Sequence, residues 1–423
     1  MTFALRGAGK PGADRRLRDK IPGRKTTLLE RELPHSAATI CFAGTHDPRF
    51  TRSAILAEGL RQHGCAITYC VDPAWGSTDA RVTAAQRGLR NPELLFRLAR
   101  AYLRVLRLHH AQRSRPDALI LGHPGQLDAI VLRALAPRIP IVLDAFIAID
   151  ETLADRGLTS PGSPTRRLAR LLDRLAIRAA DLIIVDTAAH ARRYATEYGL
   201  DLARAVIVPV GALDPGARPH PNPLPEGEGA ELSPLRVLYF GGFIPLHGVP
   251  VILEAASRLS PEEGIEIELV GEGQQAAEAE AFLGRTRLPH VRLQRGWMPE
   301  TELVERHIAQ ADVSLGIFAL AQKTMDVVPA KLYLALACGR AVVTADTPAV
   351  REELVARAAD DEPPLVLCTP GDAGSLVDAL RRLRDDTELR TRVAAAGRRL
   401  YEAHFRPEQV VGPLVAAIEG LRG

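Results

Sequence analysis

Short apolar runs alternate with segments of helical spacing along most of the chain, and they fall into two series. The first series begins at Ala37–Ala43 and closes at Val206–Gly211, and the second runs from Leu235 to about Phe405. Brief apolar runs bounded by turn residues indicate buried strands, and apolar positions three and four residues apart indicate helices. Because strands that alternate with helices form parallel sheets covered on both faces, the pattern predicts two doubly wound, Rossmann-like α/β domains.

Three segments flank or interrupt these series. Residues 1–35 carry nine Lys or Arg against four Asp or Glu, punctuated by Gly and Pro, which predicts a disordered basic extension. Residues 213–234 are rich in Pro and Gly and predict a linker between the domains 36–212 and 235–405. Residues 406–423 predict one last helix.

Composition narrows the class of protein. Apolar residues make up 46% of the chain, charged residues 25%, and the net charge is +3, which is typical of a globular protein and gives no ground for nucleic-acid binding. We expect neither a transmembrane helix nor a signal peptide, because no apolar run has the required length or position. The five cysteines are an odd number without metal-ligand spacing, so we expect buried free thiols in a cytoplasmic protein.

The strongest chemical signal lies between two strands of the second series. Two strands are predicted, at Ala311–Phe318 and Ala341–Thr344. The predicted helix Lys331–Cys338 lies between them, and a proline precedes its start. A helix N-terminus at the carboxyl edge of a parallel sheet presents N–H groups to an anion. Only five residues of the chain are Lys, and after residue 25 only Lys323 and Lys331 remain, both near this edge. The segment therefore predicts a phosphate or diphosphate site, with an ordinary surface loop as the alternative.

Further candidates follow other predicted strands, where open α/β sheets bind their ligands. Glycines let a ligand approach the backbone, and a tryptophan offers an apolar wall to a nucleobase. Tight turns and simple packing are the structural alternatives. In the second series these positions are Gly241, Gly242, Gly271, Glu272, Gly273 and Trp297. In the first series they are Gly44, His46, His123, Asp144, Asp150 and Asp155.

Several motifs occur in the order typical of one enzyme family. Ala335–Val343 reads Ala-Leu-Ala-Cys-Gly-Arg-Ala-Val-Val, a carboxylate precedes it at Asp326, and Asp346–Glu352 follows it. Together with the glycine turn in Arg236–Gly248, these motifs resemble the donor-binding half of the family 4 glycosyltransferases, retaining enzymes of the GT-B fold. Motifs of the first series resemble one bacterial subgroup of that family: Ile40–Pro48, Asp144–Asp150 and Val185–His190.

This resemblance implies a function. It implies a hexosyltransferase of polysaccharide biosynthesis that moves a sugar from a nucleotide-sugar donor to a glycan or lipid-linked acceptor, with retention and without a metal or other cofactor. It also implies that the final helix crosses back to the first domain. With the strand-end positions above, it gives the catalytic candidates His123, Asp326 and Asp144. The donor-binding candidates are Gly44, Gly241, Gly242, His247, Gly271, Glu272, Trp297, Lys323, Lys331 and Glu352.

Three positions depart from the family pattern. Gly242 and His247 stand where the family has Arg and Lys in contact with the donor diphosphate. Leu334 stands where a carboxylate binds the ribose, and leucine cannot accept a hydrogen bond. A GT-B protein that binds a glycan or a partner without catalysis is therefore the alternative function, and a nucleotide-sugar epimerase of the same fold is a third.

The helix predicted over Pro92–Gln112 carries a basic face. Four arginines fall within about an 80° sector, and leucines fill much of the remainder. Basic amphipathic helices bind anionic lipid surfaces, which predicts peripheral association with the inner face of the plasma membrane, next to a lipid-linked acceptor. A solvated helix face is the alternative. The four arginines are Arg97, Arg100, Arg104 and Arg107, and a second helix repeats the pattern with Arg166, Arg170, Arg174 and Arg178.

Overall fold

The computed structural model describes residues 38–75, 92–112, 114–155, 157–216, 233–358 and 362–422. The predicted basic extension and most of the predicted linker lie outside these described residues. Both sheets reported below belong to a single compact unit.

Among the described residues, the first domain has six strands and six helices. The strands are β1 (Thr39–Gly44), β2 (Ala66–Val71), β3 (Ala118–Leu121), β4 (Ile141–Asp144), β5 (Leu182–Val185) and β6 (Ala205–Ile207). The helices are α1 (Thr51–Gln62), α2 (Pro92–His110), α3 (Gln126–Leu135), α4 (Ile149–Asp155), α5 (Pro164–Ala179) and α6 (Ala188–Tyr198). All strands pair in parallel in the order β2-β1-β3-β4-β5-β6. Every residue of β3, β4 and β5 is buried, as expected for a parallel sheet covered on both faces.

The second domain repeats this architecture. Its strands are β7 (Leu235–Phe240), β8 (Ile265–Gly271), β9 (Val291–Arg295), β10 (Val313–Leu315), β11 (Ala341–Ala345) and β12 (Val366–Cys368). Its helices are α7 (Val249–Ser257), α8 (Ala276–Thr286), α9 (Glu300–Arg306), α10 (Gln322–Asp326), α11 (Ala330–Ala337), α12 (Pro348–Val350), α13 (Ala373–Asp385) and α14 (Thr387–His404). The strands pair in parallel in the order β12-β11-β10-β7-β8-β9. The prediction of two doubly wound, Rossmann-like domains is confirmed.

Shorter elements complete the chain. The π-helical turn Arg351–Val355 follows α12, and α15 (Pro407–Gly420) is the last described helix. The short helix α10 lies between β10 and α11. Single 3₁₀ turns occur at Leu202–Arg204, Pro245–His247, Pro261–Glu263 and Ile308–Gln310.

Residue chemistry at the helix ends explains several of these boundaries. The Ser163 side chain accepts a hydrogen bond from a first-turn N–H of α5, and Thr187 does the same for α6. Gly199 ends α6 in the left-handed conformation, with φ of 75°. Asp372 caps α13 by accepting from two backbone N–H groups.

An apolar core continues from the first sheet into the second. It includes Val208 and Val210 beyond β6 and Leu332 of α11, all fully or almost fully buried. The rings of Tyr333 and Phe405 meet edge to face with centroids 4.9 Å apart. Helix α15 packs against α1 of the first domain, since their apolar side chains share this core. The two domains are thus joined by buried apolar surface as well as by the chain crossings.

Candidate active site

The carboxyl edge of the second sheet brings Gly241 and Lys331 together. Gly241 follows β7 and has a φ of 121°, a backbone conformation that residues with a Cβ rarely adopt. A Cβ at this position would lie 3.2 Å from Nζ of Lys331. Lys331 belongs to the first turn of α11, whose leading N–H groups have no intrahelical acceptor. The amine therefore lies beside both a glycine turn and a helix N-terminus.

Lys331 shares a buried polar cluster with Tyr239 and His247. Its Nζ lies 3.8 Å from the ring centroid of Tyr239 and 3.5 Å from Nδ1 of His247. The Tyr239 hydroxyl donates to the Gly242 carbonyl over 2.7 Å, and His247 Nδ1 lies 2.5 Å from the same oxygen. Gly242 and His247, both predicted donor-binding residues, thus contact each other directly.

Burial governs protonation in this cluster. It lowers the pKa of Lys331 well below the usual range of an amine. Burial, followed by the positive charge of Lys331, also lowers the pKa of His247 well below its usual value. The pKa of Tyr239 is raised by the same loss of hydration. The cluster by itself therefore favours neutral forms, and an anion beside it would favour the ammonium form of Lys331.

Gly271 of β8 closes the glycine turn from the neighbouring strand. A Cβ on Gly271 would lie 1.9 Å from the carbonyl oxygen of Gly241, so only glycine allows the two strand ends to meet. The side chain of Glu272, the next residue, pairs with Arg295 at 2.8 Å. That hydrogen bond lowers the pKa of Glu272. Glu272 is therefore held in a surface ion pair in this structure.

The candidate base contact Trp297 and the departing residue Leu334 differ in exposure. Trp297 lies just beyond β9, and 70% of its surface is exposed, so packing does not account for its position. Leu334, at the ribose position by resemblance, is 7% exposed and belongs to the apolar core. Trp297 offers a nucleobase an open aromatic face, whereas Leu334 offers hydroxyl groups no hydrogen bond.

Ion pairs with the first domain hold the segment around α10. Lys323 contacts the carboxylates of Asp155 and Glu151, both from α4. Glu352 pairs with Arg192 of α6 at 2.9 Å. Two predicted donor-binding residues therefore serve as contacts between the domains.

Asp326 is held in the same way. Nε of Arg193 lies 3.2 Å from a carboxylate oxygen of Asp326, and the Thr187 hydroxyl donates to the Asp326 carbonyl over 2.7 Å. Arg193 also contacts Glu151, so one guanidinium joins carboxylates of both domains. Burial raises the pKa of Asp326 and outweighs the opposing charge of Arg193.

A buried carboxylate organises the loop after β1. A Cβ on Gly44 would lie 2.2 Å from a carboxylate oxygen of Asp128, and Gly44 has φ of 113°. Asp128 accepts hydrogen bonds from the Thr45 N–H at 2.8 Å, the Thr45 hydroxyl at 2.9 Å and the Tyr102 hydroxyl at 2.8 Å. Burial nevertheless raises the pKa of Asp128 to about 6. Gly44 thus lets its loop bind Asp128 at close range.

The other two catalytic candidates of the first domain have different surroundings. His123 is half-buried, with Phe50 and Phe146 beside its ring. Asp144 is fully buried, and Nε of Arg52 donates to it over 3.3 Å. Burial raises the pKa of Asp144 against the charge of Arg52. Asp144 therefore positions Arg52, while His123 lies beside two aromatic rings just beyond the carboxyl end of β3.

The remaining candidates of the first domain are engaged within the protein. His46 is fully buried, and burial lowers its pKa to about 4. Asp150 accepts from Arg166 at 2.8 Å and from Arg170 at 3.2 Å. These two arginines of α5 therefore turn toward a buried carboxylate rather than toward solvent.

Comparison with protein families identifies both halves of the chain. The model of the glycosyl transferase 4-like domain matches residues 51–211, and the model of glycosyl transferases group 1 matches residues 234–386. Together the two models match more than half of the chain.

The chain belongs to the GT-B glycosyltransferases.

Solved structures agree with this glycosyltransferase in fold. Sucrose-phosphate synthase from Thermosynechococcus elongatus is 15% identical with a TM-score of 0.65, covering 91% of this chain and 99% of its own. HepE from Anabaena, in complex with UDP-glucose, is 14% identical with a TM-score of 0.62, covering 91% and 100%. A glycosyltransferase from Rickettsia africae is 10% identical with a TM-score of 0.58, covering 92% and 99%. Comparison with curated protein sequences gave no match.

Sequence reasoning missed several residues that shape the site of this glycosyltransferase. Tyr239 lies inside a strand and reads as core, so only the fold reveals its contact with Lys331. Asp128 lies in the first turn of α3, where an acidic residue is ordinary. Arg193 is one of many arginines, and its partner Asp326 lies in the other domain. No local pattern signals any of these three.

Proposed function

We propose that this glycosyltransferase is a retaining hexosyltransferase of family 4 that moves a sugar from a nucleotide-sugar donor to a glycan or lipid-linked acceptor. The observation that carries the proposal is Lys331 beside the glycine turn after β7, at the N-terminus of α11. Backbone N–H groups and one amine at this edge suit a diphosphate. The structure of HepE in complex with UDP-glucose supports a nucleotide sugar as the donor class.

Diphosphate binding would offset the effect of desolvation on the protonation of Lys331. Its lowered pKa means that the site takes up a proton as the anion binds, after which ammonium and phosphate form a charge-assisted pair. The same pair stabilises the negative charge that develops on the diphosphate as the bond between the donor sugar and the diphosphate breaks. A phosphate here adds a negative charge beside the buried amine, which otherwise contacts the uncharged Tyr239 and His247.

In this proposal, Lys331 and the N-terminus of α11 neutralise the charge on the leaving diphosphate, and no metal ion takes part. Among the described residues, no group of three or more His, Cys, Asp or Glu side chains is arranged to hold a metal ion. Because Lys331 and the helix N-terminus carry the charge in this assignment, sugar transfer is expected to continue in excess EDTA. Loss of transfer that Mg²⁺ or Mn²⁺ restores would contradict a metal-independent reaction.

We assign the acceptor side to the first domain, where His123 is the group placed to bind or deprotonate an acceptor hydroxyl. Lys323, Asp326 and Glu352 then act by holding the donor-binding segment against the first domain. Substitution of His123 by Ala is expected to lower the transfer rate while leaving donor affinity unchanged. Unchanged transfer with this variant would remove His123 from the reaction.

A lipid-linked acceptor motivates a membrane surface on α2 and α5. Among the described residues, no helix combines the length and apolar character needed to cross a bilayer. Phe96 is 71% exposed and Leu103 57% exposed on α2, and Arg100, Arg104 and Arg107 of the same helix are exposed too. The exposed leucines of α5 recur three and four residues apart: Leu168, Leu171 and Leu175.

Apolar side chains among exposed arginines suit an anionic lipid surface at the cytoplasmic face of a membrane. All five cysteines are free and buried, which supports a reducing compartment. The Arg97 guanidinium donates to the Ala74 carbonyl, so it has one donor fewer for lipid headgroups than the other arginines of this face. The surface is net positive, so two copies meeting through it would place arginines against arginines.

Sedimentation with vesicles tests the membrane surface. The parent protein should sediment with vesicles rich in phosphatidylglycerol and stay in solution with phosphatidylcholine alone. Changing Leu168, Leu171 and Leu175 to Gln should abolish sedimentation, and the control variant Leu202→Gln with Leu320→Gln, exposed elsewhere, should keep it. Equal sedimentation of both variants would contradict the proposed surface.

The donor function is tested by thermal shift and product release with a panel of nucleotide sugars. One donor should raise the melting temperature of the parent protein by mass action and release nucleoside diphosphate when acceptor glycans are added. Binding without release in any acceptor mixture would favour the non-catalytic alternative, and no binding at all would contradict the proposal.

A further inference from the structure

Three rings from three neighbouring strand ends form an aromatic cluster at the carboxyl edge of the first sheet. Phe50 follows β1, His123 follows β3 and Phe146 follows β4. The ring centroids of Phe50 and His123 are 6.2 Å apart, those of His123 and Phe146 are 6.3 Å apart, and those of Phe50 and Phe146 are 6.4 Å apart. Each ring thus contacts the other two at distances typical of aromatic pairs.

Local stability does not explain Phe50. It occupies the N-cap of α1, where Ser, Thr, Asp or Asn would satisfy a first-turn N–H, and its side chain caps nothing. It is also 36% exposed, although a neighbouring apolar core exists. A phenylalanine at a capping position, with one side on other rings and the other open, is suited to stacking against a ligand.

The cluster is supported from beneath. The guanidinium carbon of Arg52 lies 5.5 Å from the ring centroid of Phe146. Arg52 itself is fixed by Asp144 and by two backbone carbonyls, those of Val208 and Pro209, at 2.9 and 3.0 Å. Because all these groups are buried, Phe146 is held rigidly and presents a fixed surface to Phe50 and His123.

We propose that Phe50, His123 and Phe146 bind a pyranose ring of the acceptor, with the apolar C–H face of the sugar stacked on Phe50. The inference rests on the proposed transferase function and names the chemistry of its acceptor site. A pyranose has an apolar face and a rim of hydroxyl groups, and this cluster combines aromatic faces with an imidazole. Asp47 and Arg49, in the loop that carries Phe50, pair with each other. A purely hydrocarbon chain would use the two phenyl rings but not the imidazole.

Saturation-transfer NMR tests the proposal, with methyl β-D-glucopyranoside as the probe and UDP in the same sample. The C–H protons of the glucoside should receive saturation from the parent protein, and the signal should fall at least fivefold with Phe50→Ala. Phe50→Tyr should keep the signal because it keeps the ring. Phe96→Ala is the matched control, since it removes an exposed ring from α2 and should leave the signal intact.

The two signals separate failure of this inference from failure of the proposed function. Equal glucoside signals in the parent protein and Phe50→Ala, or no glucoside signal in either, would overturn the sugar platform. The UDP protons report the second domain independently, because Phe50 lies in the first. Absent UDP signals would count against the donor site while the glucoside signals still decide the role of Phe50.

Discussion

Replacing Lys331 by Met is the sharpest single test of the donor site. Lys331 is 7% exposed, and its amine would lie 3.2 Å from a Cβ at Gly241, so it is a desolvated cation at close range to the Gly241 turn. A charge-assisted hydrogen bond to phosphate contributes about 1.5–3 kcal/mol, which corresponds to roughly a tenfold to hundredfold loss in affinity. The substitution removes a desolvated amine and keeps an apolar stem, so we expect the melting temperature to stay level or rise.

Isothermal titration with UDP-glucose measures this loss. Arg104→Ala, which removes an exposed cation from α2, is the control and should bind UDP-glucose like the parent protein. Binding of UDP-glucose by Lys331→Met as tightly as by the parent protein would exclude Lys331 from the donor site. A fall in affinity that matched a fall in melting temperature would instead indicate a damaged fold.

The same titration checks the protonation of Lys331. Its pKa is lowered in the protein alone, so at higher pH the site must take up a proton to pair with the diphosphate. Affinity should therefore fall as pH rises, and titrations in two buffers of different ionisation enthalpy should reveal proton uptake by the parent protein. Lys331→Met should show no such uptake.

Three further predictions concern stability. Burial raises the pKa of Asp128 from 3.8 to about 6, so the folded protein binds more protons than the unfolded chain between these values. Stability of the parent relative to Asp128→Asn should therefore fall by about 3 kcal/mol as pH rises through this range, and parallel melting-temperature profiles would contradict it. Arg193→Leu removes the cation beside Asp326 and should lower the free energy of unfolding in chemical denaturation by about 1–3 kcal/mol. The control Arg192→Leu, at an exposed neighbouring position, should lower it by under ~1 kcal/mol. Equal losses in the two variants would refute the bridging role of Arg193. Leu334→Glu places an unpaired carboxylate in the core and should cost about 3–5 kcal/mol; an unchanged melting temperature with tighter UDP-glucose binding would show instead that the new carboxylate reaches ribose.

The sequence predicted most of the fold and one part of the site. Apolar runs and Gly or Pro at helix ends indicated both sheets. The parallel topology alone implied that the end of β7 and the start of α11 lie at the same edge of the second sheet. Lys331 and Gly241 lie together for that reason. Trp297 was expected beyond a strand end and lies there with an open face.

Other features depend on contacts that no local pattern encodes. The sequence spacing of the arginines indicated which residues share a face of α5. Only the packing shows that Arg166 and Arg170 turn toward the buried Asp150. Lys323 looked like a second phosphate ligand, yet it pairs with Asp155 across 168 positions of sequence. Such long-range pairs are set by how two domains meet, and the residues around each partner give no sign of it.

A crystal structure of the protein with UDP bound would test the central claim most directly. The diphosphate should lie at the carboxyl edge of the second sheet, beside the Gly241 turn, with a phosphate oxygen about 2.7–2.9 Å from Nζ of Lys331. The base should lie in the same domain, on the side of Trp297. Diphosphate bound elsewhere, with the amine of Lys331 still against Tyr239, would contradict the account.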